Sequence, residues 1–307
     1  MCPYLKEFMP LLVVGSIALD TVQTPHGRVE NVLGGSAVYF SYAANFFNHV
    51  RLVGVVGKDF PQEYKQILAS KNVDISGLEV VEGKTFRWSG CYEGAMNAAQ
   101  TLLTELNVFA TFEPKIPHLF RDSKFIFLAN GGPATQKSVL KQIHAPKLIV
   151  ADTMNLWINE QRDELLDLMR QVDGLVLNEE EARLLTREMN LIKAGKQILK
   201  VGLKFVVIKK GEHGAMLVSP EGFFICPAYP TEHVKDPTGA GDSFAGGMMG
   251  YLAKTRDISH WNLKRALIYG TIVASFNVED FSLNRFHQIT LDDIEKRYKE
   301  FISMVSF

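Results

Sequence analysis

Short apolar runs of strand length alternate with longer segments of helical periodicity along most of the chain. The runs at 11–16 and 50–57 are almost continuously apolar, as expected for strands that are buried on both faces of a parallel sheet. The later predicted strands are 125–129, 147–151, 173–177 and 204–208, and the predicted helices around them are 135–143, 161–171, 179–186, 191–200, 261–277 and 291–302. This alternation predicts a three-layer αβα fold of the α/β class, in which helices cover both faces of a mostly parallel central sheet.

Two segments interrupt this alternation and predict a small β lid. Residues 21–33 alternate around a turn at 25–27, as in a hairpin. Residues 78–112 contain runs rich in threonine, valine and aromatic residues, which predict one or two antiparallel hairpins, the last run lying at 106–112. We expect both segments to be inserted into a single domain that spans 1–307, where a lid would exclude water from a site beneath it.

Composition and charge exclude several classes of protein. The chain is 47% apolar and 22% charged, with a formal net charge of −1, so no strong field favours nucleic acid or an anionic membrane as a partner. Cys2, Cys91 and Cys226 lie far apart, which argues against a disulfide framework and a cysteine-based metal site. No apolar run has the length of a membrane span, and we expect a cytoplasmic protein. Because Met9 directly precedes the first strand, Met1 and Met9 both stay open as the natural start.

Residues 235–244, with the sequence KDPTGAGDSF, join a glycine-rich turn to a helix. Pro237 ends the preceding segment, Thr238 is the predicted N-cap, and the first helical turn is predicted at 239–242. The first amides of a helix have no internal partner and carry partial positive charge, and glycines let a phosphate approach them closely. The carboxylate of Asp242 could take a proton from an attacking hydroxyl. An anion hole beside a base is what phosphoryl transfer requires.

This stretch resembles the C-terminal signature of the ribokinase family of carbohydrate kinases, also called the PfkB family. The resemblance extends over roughly 11–302 and implies a ribokinase-like fold. It implies that Asp242 is the catalytic base and that the backbone of Gly239, Ala240 and Gly241 forms the anion hole. It also implies ATP and Mg²⁺ as cofactors, and some members of the family have a monovalent-cation site as well.

The resemblance further implies a set of substrate contacts. Asp20 lies just past the first strand, where ligands bind in open α/β sheets, and family members place an aspartate here to accept hydrogen bonds from substrate hydroxyls. On the sequence alone, Asp20 could equally cap a turn. The Gly34–Gly35 pair opens a helix and corresponds to the family's first signature, which contacts the substrate. Tyr39, a candidate substrate contact, and Ala18 stand about where ribose-specific members carry asparagine, which counts against a plain ribokinase.

Asn155 follows the strand at 147–151, where the family often has an Asp-x-Asn-like stretch near the substrate. It could equally be a loop residue that stabilises its own turn. Residues 206–215 form a strand, a glycine turn and a second strand, and the family uses this turn against the nucleotide. Together with the helix at 261–277, the turn supplies the nucleotide contacts that the resemblance implies, namely Lys209, Gly211, Ser275 and Asn277.

The polar quartet 178–181 opens a predicted helix directly after the strand at 173–177. An N-cap with acidic residues in the first turn explains it fully in isolation. The quartet also matches the family's N-x-x-E motif, which implies that Asn178 and Glu181 organise Mg²⁺ and its waters around the phosphates. A hydrated Mg²⁺ ion held by one carboxylate is a common arrangement. We favour this functional interpretation because the motif occurs together with Asp242.

The leading hypothesis is an ATP-dependent kinase that transfers the γ-phosphate to a hydroxymethyl group of a sugar or nucleoside. A phosphofructokinase-like enzyme acting on a sugar phosphate is an alternative, for which Lys58 and Arg87 are modest basic candidates. Tyr39, Phe86 and Trp88 offer aromatic surface, which favours a nucleobase or another ring. A non-catalytic sugar or nucleotide sensor on the same fold is a further alternative.

Two other nucleotide-binding classes are unsupported by the sequence. The chain contains no GxxxxGK[ST] motif, and GxGxxG does not follow its first strand, so neither a P-loop nor a dinucleotide-binding site is predicted. The oligomeric state cannot be derived from the pattern. An exposed edge of the lid sheet could pair two subunits as a homodimer.

Overall fold

In the computed structural model, which describes residues 9–306, the apolar runs form strands and the periodic segments form helices. The strands are β1 (Leu11–Val14), β2 (Ala18–Thr24), β3 (Gly27–Gly34), β4 (Val50–Gly57), β5 (Val73–Val81), β6 (Phe86–Cys91), β7 (Gln100–Glu105), β8 (Phe125–Leu128), β9 (Leu148–Asp152), β10 (Gly174–Asn178), β11 (Phe205–Lys209), β12 (Ala215–Ser219) and β13 (Gly222–Cys226). The α-helices are α1 (Ser36–Ala44), α2 (Gln62–Ser70), α3 (Pro133–Leu140), α4 (Asn155–Glu160), α5 (Arg162–Met169), α6 (Glu179–Thr186), α7 (Leu191–Leu199), α8 (Ala240–Thr255), α9 (His260–Asn277), α10 (Asn284–Gln288) and α11 (Leu291–Val305). The question of the natural start concerns residues 1–8, which lie outside the described residues. Within 9–306, none of the helices has the length and hydropathy that crossing a bilayer requires.

The central sheet has nine strands in the order β13-β12-β11-β10-β9-β8-β1-β4-β5. The strands from β11 to β5 are parallel, and β12 and β13 add an antiparallel edge. Apolar side chains from the sheet enter two separate buried clusters, one with α1, α8 and α9 and the other with α5 and α6. The sheet is therefore covered by helices on both faces, and the prediction of a three-layer αβα fold with a mostly parallel central sheet is confirmed.

The predicted lid is present, but its second segment begins and ends differently. Residues 78–81 belong to β5, which pairs in parallel with β4 at the edge of the central sheet. Residues 107–111, predicted as part of a strand, form a 3₁₀-helix that begins with a positive φ of 48° at Asn107. The helical turn places the ring of Phe109 in stacks with Phe86 and Phe112. The prediction for 78–112 was therefore wrong at its two ends. Alternation of apolar and polar residues does not identify the sheet that a strand joins, and it does not show that stacked aromatic rings will hold a short segment as a helical turn.

The lid itself is a four-stranded sheet in the order β3-β2-β6-β7. Strands β2 and β3 form the predicted hairpin, and their turn brings Thr24 opposite Gly27. Strands β6 and β7 form a second hairpin, and β6 pairs in parallel with β2. Because β2 follows β1 directly, the lid lies next to the carboxyl end of the central sheet.

Helix α8, which follows the glycine-rich turn, packs closely on α1 through glycines. A Cβ atom at Gly246 would lie 2.4 Å from the backbone oxygen of Phe40, and one at Gly250 would lie 2.9 Å from that of Ala44. A backbone oxygen in a helix cannot move without moving the helix, so these glycines set the distance between α1 and α8. The ring of Phe40 in turn stacks on Phe127 of β8 with 4.4 Å between ring centroids, which fixes α1 on the sheet.

We expect Gly246→Ala to destabilise the protein by about 1–2 kcal/mol, measured by urea unfolding, because overpacking outweighs the gain in helix propensity. Helix propensity alone predicts the opposite sign, a gain of about 1 kcal/mol. Gly247→Ala is the matched control, since its Cβ would approach neighbours only to 3.0 Å, and it should lose less. A more stable Gly246→Ala variant would contradict the packing argument.

Candidate active site

Neighbouring parallel strands bring charged side chains together at their carboxyl ends. Asp152 is the last residue of β9, Lys209 is the last residue of β11, and Glu181 lies in the first turn of α6, directly after β10. The ammonium group of Lys209 lies 3.6 Å from Oδ2 of Asp152 and interacts electrostatically with Glu181 and Asp242. Because the carboxyl ends of strands are where open sheets bind ligands, these four side chains define the candidate site.

The glycine-rich turn supplies the fourth of these side chains and the start of α8. The helix begins at Ala240, and its N-cap is Gly239, whose backbone is left-handed with φ 73°. The prediction of Thr238 as the N-cap is therefore wrong. Its hydroxyl instead donates to the Tyr92 hydroxyl at 3.3 Å, and its amide donates to Oδ1 of Asp236 at 2.9 Å. A left-handed glycine turns the chain by itself, so the helix begins one residue later than predicted.

Some amides of this turn already donate a hydrogen bond to a protein group, and others do not. The amide of Ala240 donates to the carbonyl of Pro237 at 3.1 Å. Among the described residues, the amides of Gly239, Gly241 and Asp242 have no acceptor. Free amides at a helix start carry partial positive charge and bind anions. Of the residues predicted to form the anion hole, Gly239 and Gly241 thus have available amides, whereas Ala240 holds the turn together.

Two glycines of the turn lie very close to side chains from other elements. A Cβ atom at Gly239 would lie 2.3 Å from the ring of Tyr39, and the positive φ already disfavours any other residue there. A Cβ atom at Gly241 would lie 2.9 Å from the ammonium nitrogen of Lys209. Tyr39 and Lys209 therefore contact the turn from two sides. The contact at Gly239 requires glycine, whereas a side chain at Gly241 would displace the end of the flexible Lys209 side chain.

The carboxyl group of Asp242 has the pKa of a base that can work near neutral pH. Its pKa is raised to about 7, chiefly by burial and also by the charge of Asp152, while the charge of Lys209 lowers it. Solvent still reaches part of the residue. A general base is most effective when its pKa lies near the working pH, so Asp242 can accept a proton and release it again.

The charges around Lys209 are unevenly balanced. Burial lowers the pKa of Lys209, but the charges of Asp152, Glu181 and Asp242 together raise it, so the ammonium group stays protonated. Burial raises the pKa of Glu181 to about 7 against the opposing effect of Lys209, and burial likewise raises the pKa of Asp152. One ammonium group thus faces three carboxyl groups, which leaves the site ready for a further cation.

Asn178 and Glu181 form a complete capping box at the start of α6. Oε2 of Glu181 accepts from the Asn178 amide at 2.7 Å, and Oδ1 of Asn178 accepts from the Glu181 amide at 2.8 Å. Within 9–306, no group of three acidic, histidine or cysteine side chains is arranged to hold a metal ion. Mg²⁺ usually keeps several waters and binds through one or two carboxylates together with substrate phosphates. The acidic side chains near Glu181 therefore fit a Mg²⁺ ion that arrives with a nucleotide.

Asp20 and the paired glycines meet at the lid side of the site. Asp20 lies within β2, and a Cβ atom at Gly34 would lie 1.9 Å from its Oδ2. Gly35 has φ 97°, and a Cβ there would lie 2.6 Å from the Ser16 carbonyl. The pKa of Asp20 is raised to about 7, chiefly by burial and also by the charges of Asp236 and Asp242, while the hydrogen bond from the Gly35 amide lowers it. The electrostatic effect of Asp242 indicates that Asp20 and the proposed base belong to one site.

Tyr39 is buried beside this acidic group, and only 1% of it is exposed. Its hydroxyl has no hydrogen-bond partner among the described residues. Burial raises its pKa, as do the nearby charges of Asp20 and Asp236, so the hydroxyl stays protonated. A buried polar group without a partner is costly, which makes this hydroxyl a candidate to bind a ligand.

The remaining predicted contacts already bind protein groups. Asn155 is exposed at the start of α4 and its Oδ1 accepts from the next amide in the chain, as the turn interpretation expects. Ser275 donates to the Ile272 carbonyl and accepts from Arg297. Asn277 donates to the Thr238 carbonyl at 2.8 Å, so it supports the glycine-rich turn from α9. Contact of Ser275 and Asn277 with adenine stays a prediction.

Sequence analysis missed three side chains of the site. Asp152 was expected to follow β9, either near the substrate or in a loop that stabilises its own turn, and not to end β9 inside the charged group. Asp236 is 1% exposed and its Oδ2 has no partner among residues 9–306. Tyr92 follows β6 in a segment without periodicity, and nothing in the local sequence indicates that it reaches Thr238. The DPTGAGD string contained a signal for Asp236, but the pattern offered none for Tyr92.

We expect Asp242→Asn to stabilise the ligand-free protein more at pH 8 than at pH 5. The pKa of Asp242 is about 7 in the folded protein and near 3.8 in the unfolded chain, so its ionisation costs the folded state increasing stability as the pH rises between these values. At about 1.4 kcal/mol per pKa unit, the advantage of asparagine should grow by about 2–3 kcal/mol between the two pH values. Chemical unfolding at both pH values measures it.

Asp167→Asn is the matched control for this experiment. Lys137 lowers the pKa of the exposed Asp167 carboxyl, so it is ionised at pH 5 and at pH 8 and its replacement should show no such dependence on pH. Equal effects of Asp242→Asn at the two pH values would contradict the raised pKa of Asp242.

Comparison with known proteins agrees with this geometry. Residues 11–288 match the sequence model of the pfkB family of carbohydrate kinases. The chain is 31% identical over 258 residues to a cytidine kinase of Thermococcus kodakarensis, covering 81% of this chain and 91% of that protein. Solved structures with a similar fold include Burkholderia thailandensis nucleoside kinase with inosine (TM-score 0.76, 18% identity, 95% of this chain and 99% of that chain). A candidate ribokinase II from E. coli with ATP and Mg²⁺ is also similar (TM-score 0.77, 20% identity, 94% and 99%). The chain therefore belongs to the pfkB family of carbohydrate kinases and has a ribokinase-like fold.

Proposed function

We propose that this kinase transfers the γ-phosphate of ATP to the hydroxymethyl group of a nucleoside, with Asp242 as the base. The observation that carries the proposal is the position of Asp242, one residue after Gly241 at a helix start whose free amides can bind the transferred group. The acceptor oxygen forms a bond to the γ-phosphorus while the bond to the ADP oxygen breaks. The hydroxyl proton passes to Asp242, whose pKa of about 7 suits this transfer.

Charge stabilisation supplies the rest of the catalysis in this proposal. The amides of Gly239 and Gly241 hold the charge of the transferred phosphoryl group. The ammonium group of Lys209, next to Gly241, offsets the charge of the phosphates. Glu181 and Asp152 would hold Mg²⁺ together with the nucleotide phosphates, and the ion would neutralise charge that develops on them. A monovalent cation is a further proposal, since the buried Oδ2 of Asp236 is a suitable oxygen ligand without a protein partner among residues 9–306.

The acidic surroundings of Asp20 favour a neutral acceptor over a sugar phosphate. Asp236 and Asp242 both raise the pKa of Asp20, and a phosphate on the acceptor would add to this repulsion. The two basic candidates are already paired, Lys58 with Glu82 and Arg87 with Asp59. These contacts support an uncharged polyhydroxy compound as the acceptor.

A nucleoside is favoured among neutral acceptors by an aromatic ring beside Asp20. Trp88 of β6 stands opposite Asp20 of β2 in the lid sheet, and paired residues project from the same face. Phe86 stacks on Phe109, Tyr39 packs on Gly239, and Trp88 lies over Gly90 with its Nε1 donating to Thr101 at 3.3 Å. Among these three rings, the strand register next to Asp20 supports Trp88 as the ring for a base. The cytidine kinase and nucleoside kinases among the relatives support the same acceptor class. A sensor is less favoured, because it needs no base.

We expect cytidine or another nucleoside to give the highest kcat/KM in an ATP-consumption assay with Mg²⁺. Ribose and fructose should react more slowly, and fructose 6-phosphate should react least because of repulsion by Asp20 and its neighbours. Asp242→Asn should lower kcat about 100-fold or more while calorimetry still detects ATP binding.

Each other outcome of this assay has a defined meaning. Preference for fructose 6-phosphate would favour the phosphofructokinase-like alternative. Binding of both ATP and a nucleoside without product would favour the sensor. Near-normal turnover by Asp242→Asn would refute the assignment of the base.

A homodimer through the lid is also part of the proposal. All residues of the lid edge strand β7 are exposed, and Leu102 and Leu103 are 57% and 50% exposed. An edge strand with apolar side chains is a surface on which a second strand can pair. Pairing of two β7 strands would also hold the two lids in a common orientation.

We expect the double variant Leu102→Lys and Leu103→Lys to sediment as a monomer under conditions where the wild-type protein sediments as a dimer. Adjacent lysines on the edge add repulsion and remove apolar area. Leu119→Lys is the matched control, because Leu119 is 75% exposed but lies outside the lid, and it should stay dimeric. A monomeric wild-type protein would refute this part of the proposal.

A further inference from the structure

The segment that links β6 to β7, residues 92–99, leaves the lid sheet and reaches the candidate active site at two points. The hydroxyl of Thr238 donates to the hydroxyl of Tyr92 at 3.3 Å. Nδ2 of Asn97 donates to Oε1 of Glu212 at 2.7 Å, on the turn that follows β11. The lid is therefore tied both to the glycine-rich turn and to the predicted nucleotide turn.

The glycine-rich turn is otherwise held by groups from the core. Oδ1 of Asp236 accepts from the Thr238 amide at 2.9 Å, and Asn277 donates to the Thr238 carbonyl at 2.8 Å. The ring of Tyr39 packs on Gly239. These contacts fix the main chain on both sides of Thr238 and leave its side chain to the lid. Tyr92 of the lid accepts a hydrogen bond from that side chain, which also interacts with the carboxyl group of Asp236.

We propose that Tyr92 is a positioning residue. When the lid is closed, its hydroxyl holds Thr238 and thereby fixes the geometry of the anion hole. The proposal rests on the proposed kinase function. By holding the Thr238 side chain, Tyr92 fixes the turn that aims the amides of Gly239 and Gly241 at the transferred phosphoryl group. A shift of a few tenths of an ångström in such donors weakens their interaction with a transition state more than their binding of ground-state ATP.

This arrangement has a consequence for the specificity of the reaction. Asp20 on β2 and Tyr92 directly after β6 belong to the same lid sheet. In this proposal, one movement of the lid therefore brings Asp20 to the acceptor and Tyr92 to Thr238. The anion hole is then complete only when the lid has closed over an acceptor. Hydrolysis of ATP by water is disfavoured while the lid is open, because the amides are not yet in place.

A double-mutant cycle on kcat tests the proposal. Tyr92→Phe and Thr238→Val each remove one hydroxyl of the pair, and each should lower kcat about 5- to 10-fold with the KM for ATP within about twofold of wild type. The double variant should be no slower than the slower single variant, because the two hydroxyls act as one unit. Thr238→Ser keeps the hydroxyl and should restore kcat.

Tyr64→Phe is the matched control. The Tyr64 hydroxyl donates to the Asn31 carbonyl of lid strand β3 at 3.0 Å and lies outside the site described above, so its loss should leave kcat unchanged. Thermal unfolding of each variant separates loss of positioning from loss of folding. If Tyr92→Phe does not fold, Thr238→Val tests the same contact from the core.

The outcomes separate this inference from the proposed function. Full activity of Tyr92→Phe and Thr238→Val in an active wild-type background would overturn the positioning role and leave the kinase proposal intact. Multiplied losses in the double variant, or an equal loss in Tyr64→Phe, would also overturn it. A wild-type protein without transfer to any acceptor would refute the kinase function, and the role of Tyr92 would fall with it.

Discussion

The site depends on one buried ammonium group, that of Lys209. Strands β9, β10 and β11 end side by side, and with α8 they bring Asp152, Glu181 and Asp242 into one small volume. Three carboxyl groups away from water would repel one another, and uncompensated buried charge is among the most costly features a protein can contain. Lys209 supplies the compensating charge and lies against Gly241, so it joins the carboxyl groups to the anion-binding turn.

One cation does not fully compensate three carboxyl groups, and the negative charge that stays uncompensated explains much of the chemistry of the site. The pKa values of Glu181 and Asp242 are raised to about 7 rather than lowered by ion pairing, and the same holds for Asp20 across the site. Such a site costs stability while it is empty, a common feature of functional sites. The excess suits a nucleotide that arrives with a divalent cation, and it opposes an acceptor with its own phosphate. The same electrostatics thus favour the donor and restrict the acceptor.

The parts of this architecture that follow from local chemistry could be predicted from the sequence. Apolar runs gave the parallel strands, and the glycine string gave a helix start with free amides and Asp242 beside them. The errors concern long-range pairing. β5 joins β4 rather than the lid, and the run at 107–111 becomes a helical turn because Phe109 stacks on Phe86. Tyr92 could not be found, because its role depends on how a lid loop crosses to Thr238.

The glycines of the two motifs are needed for the same physical reason, and the sequence shows only part of it. Gly34 leaves room for the carboxylate of Asp20, and Gly239 leaves room for the ring of Tyr39. In each case a functional side chain from another element rests on bare backbone. A motif glycine can be recognised from the sequence, but its partner cannot, because that partner is set by packing. The proposed acceptor side and the proposed anion hole are therefore both positioned by contacts with the main chain, which is stiffer than a side chain in the same place would be.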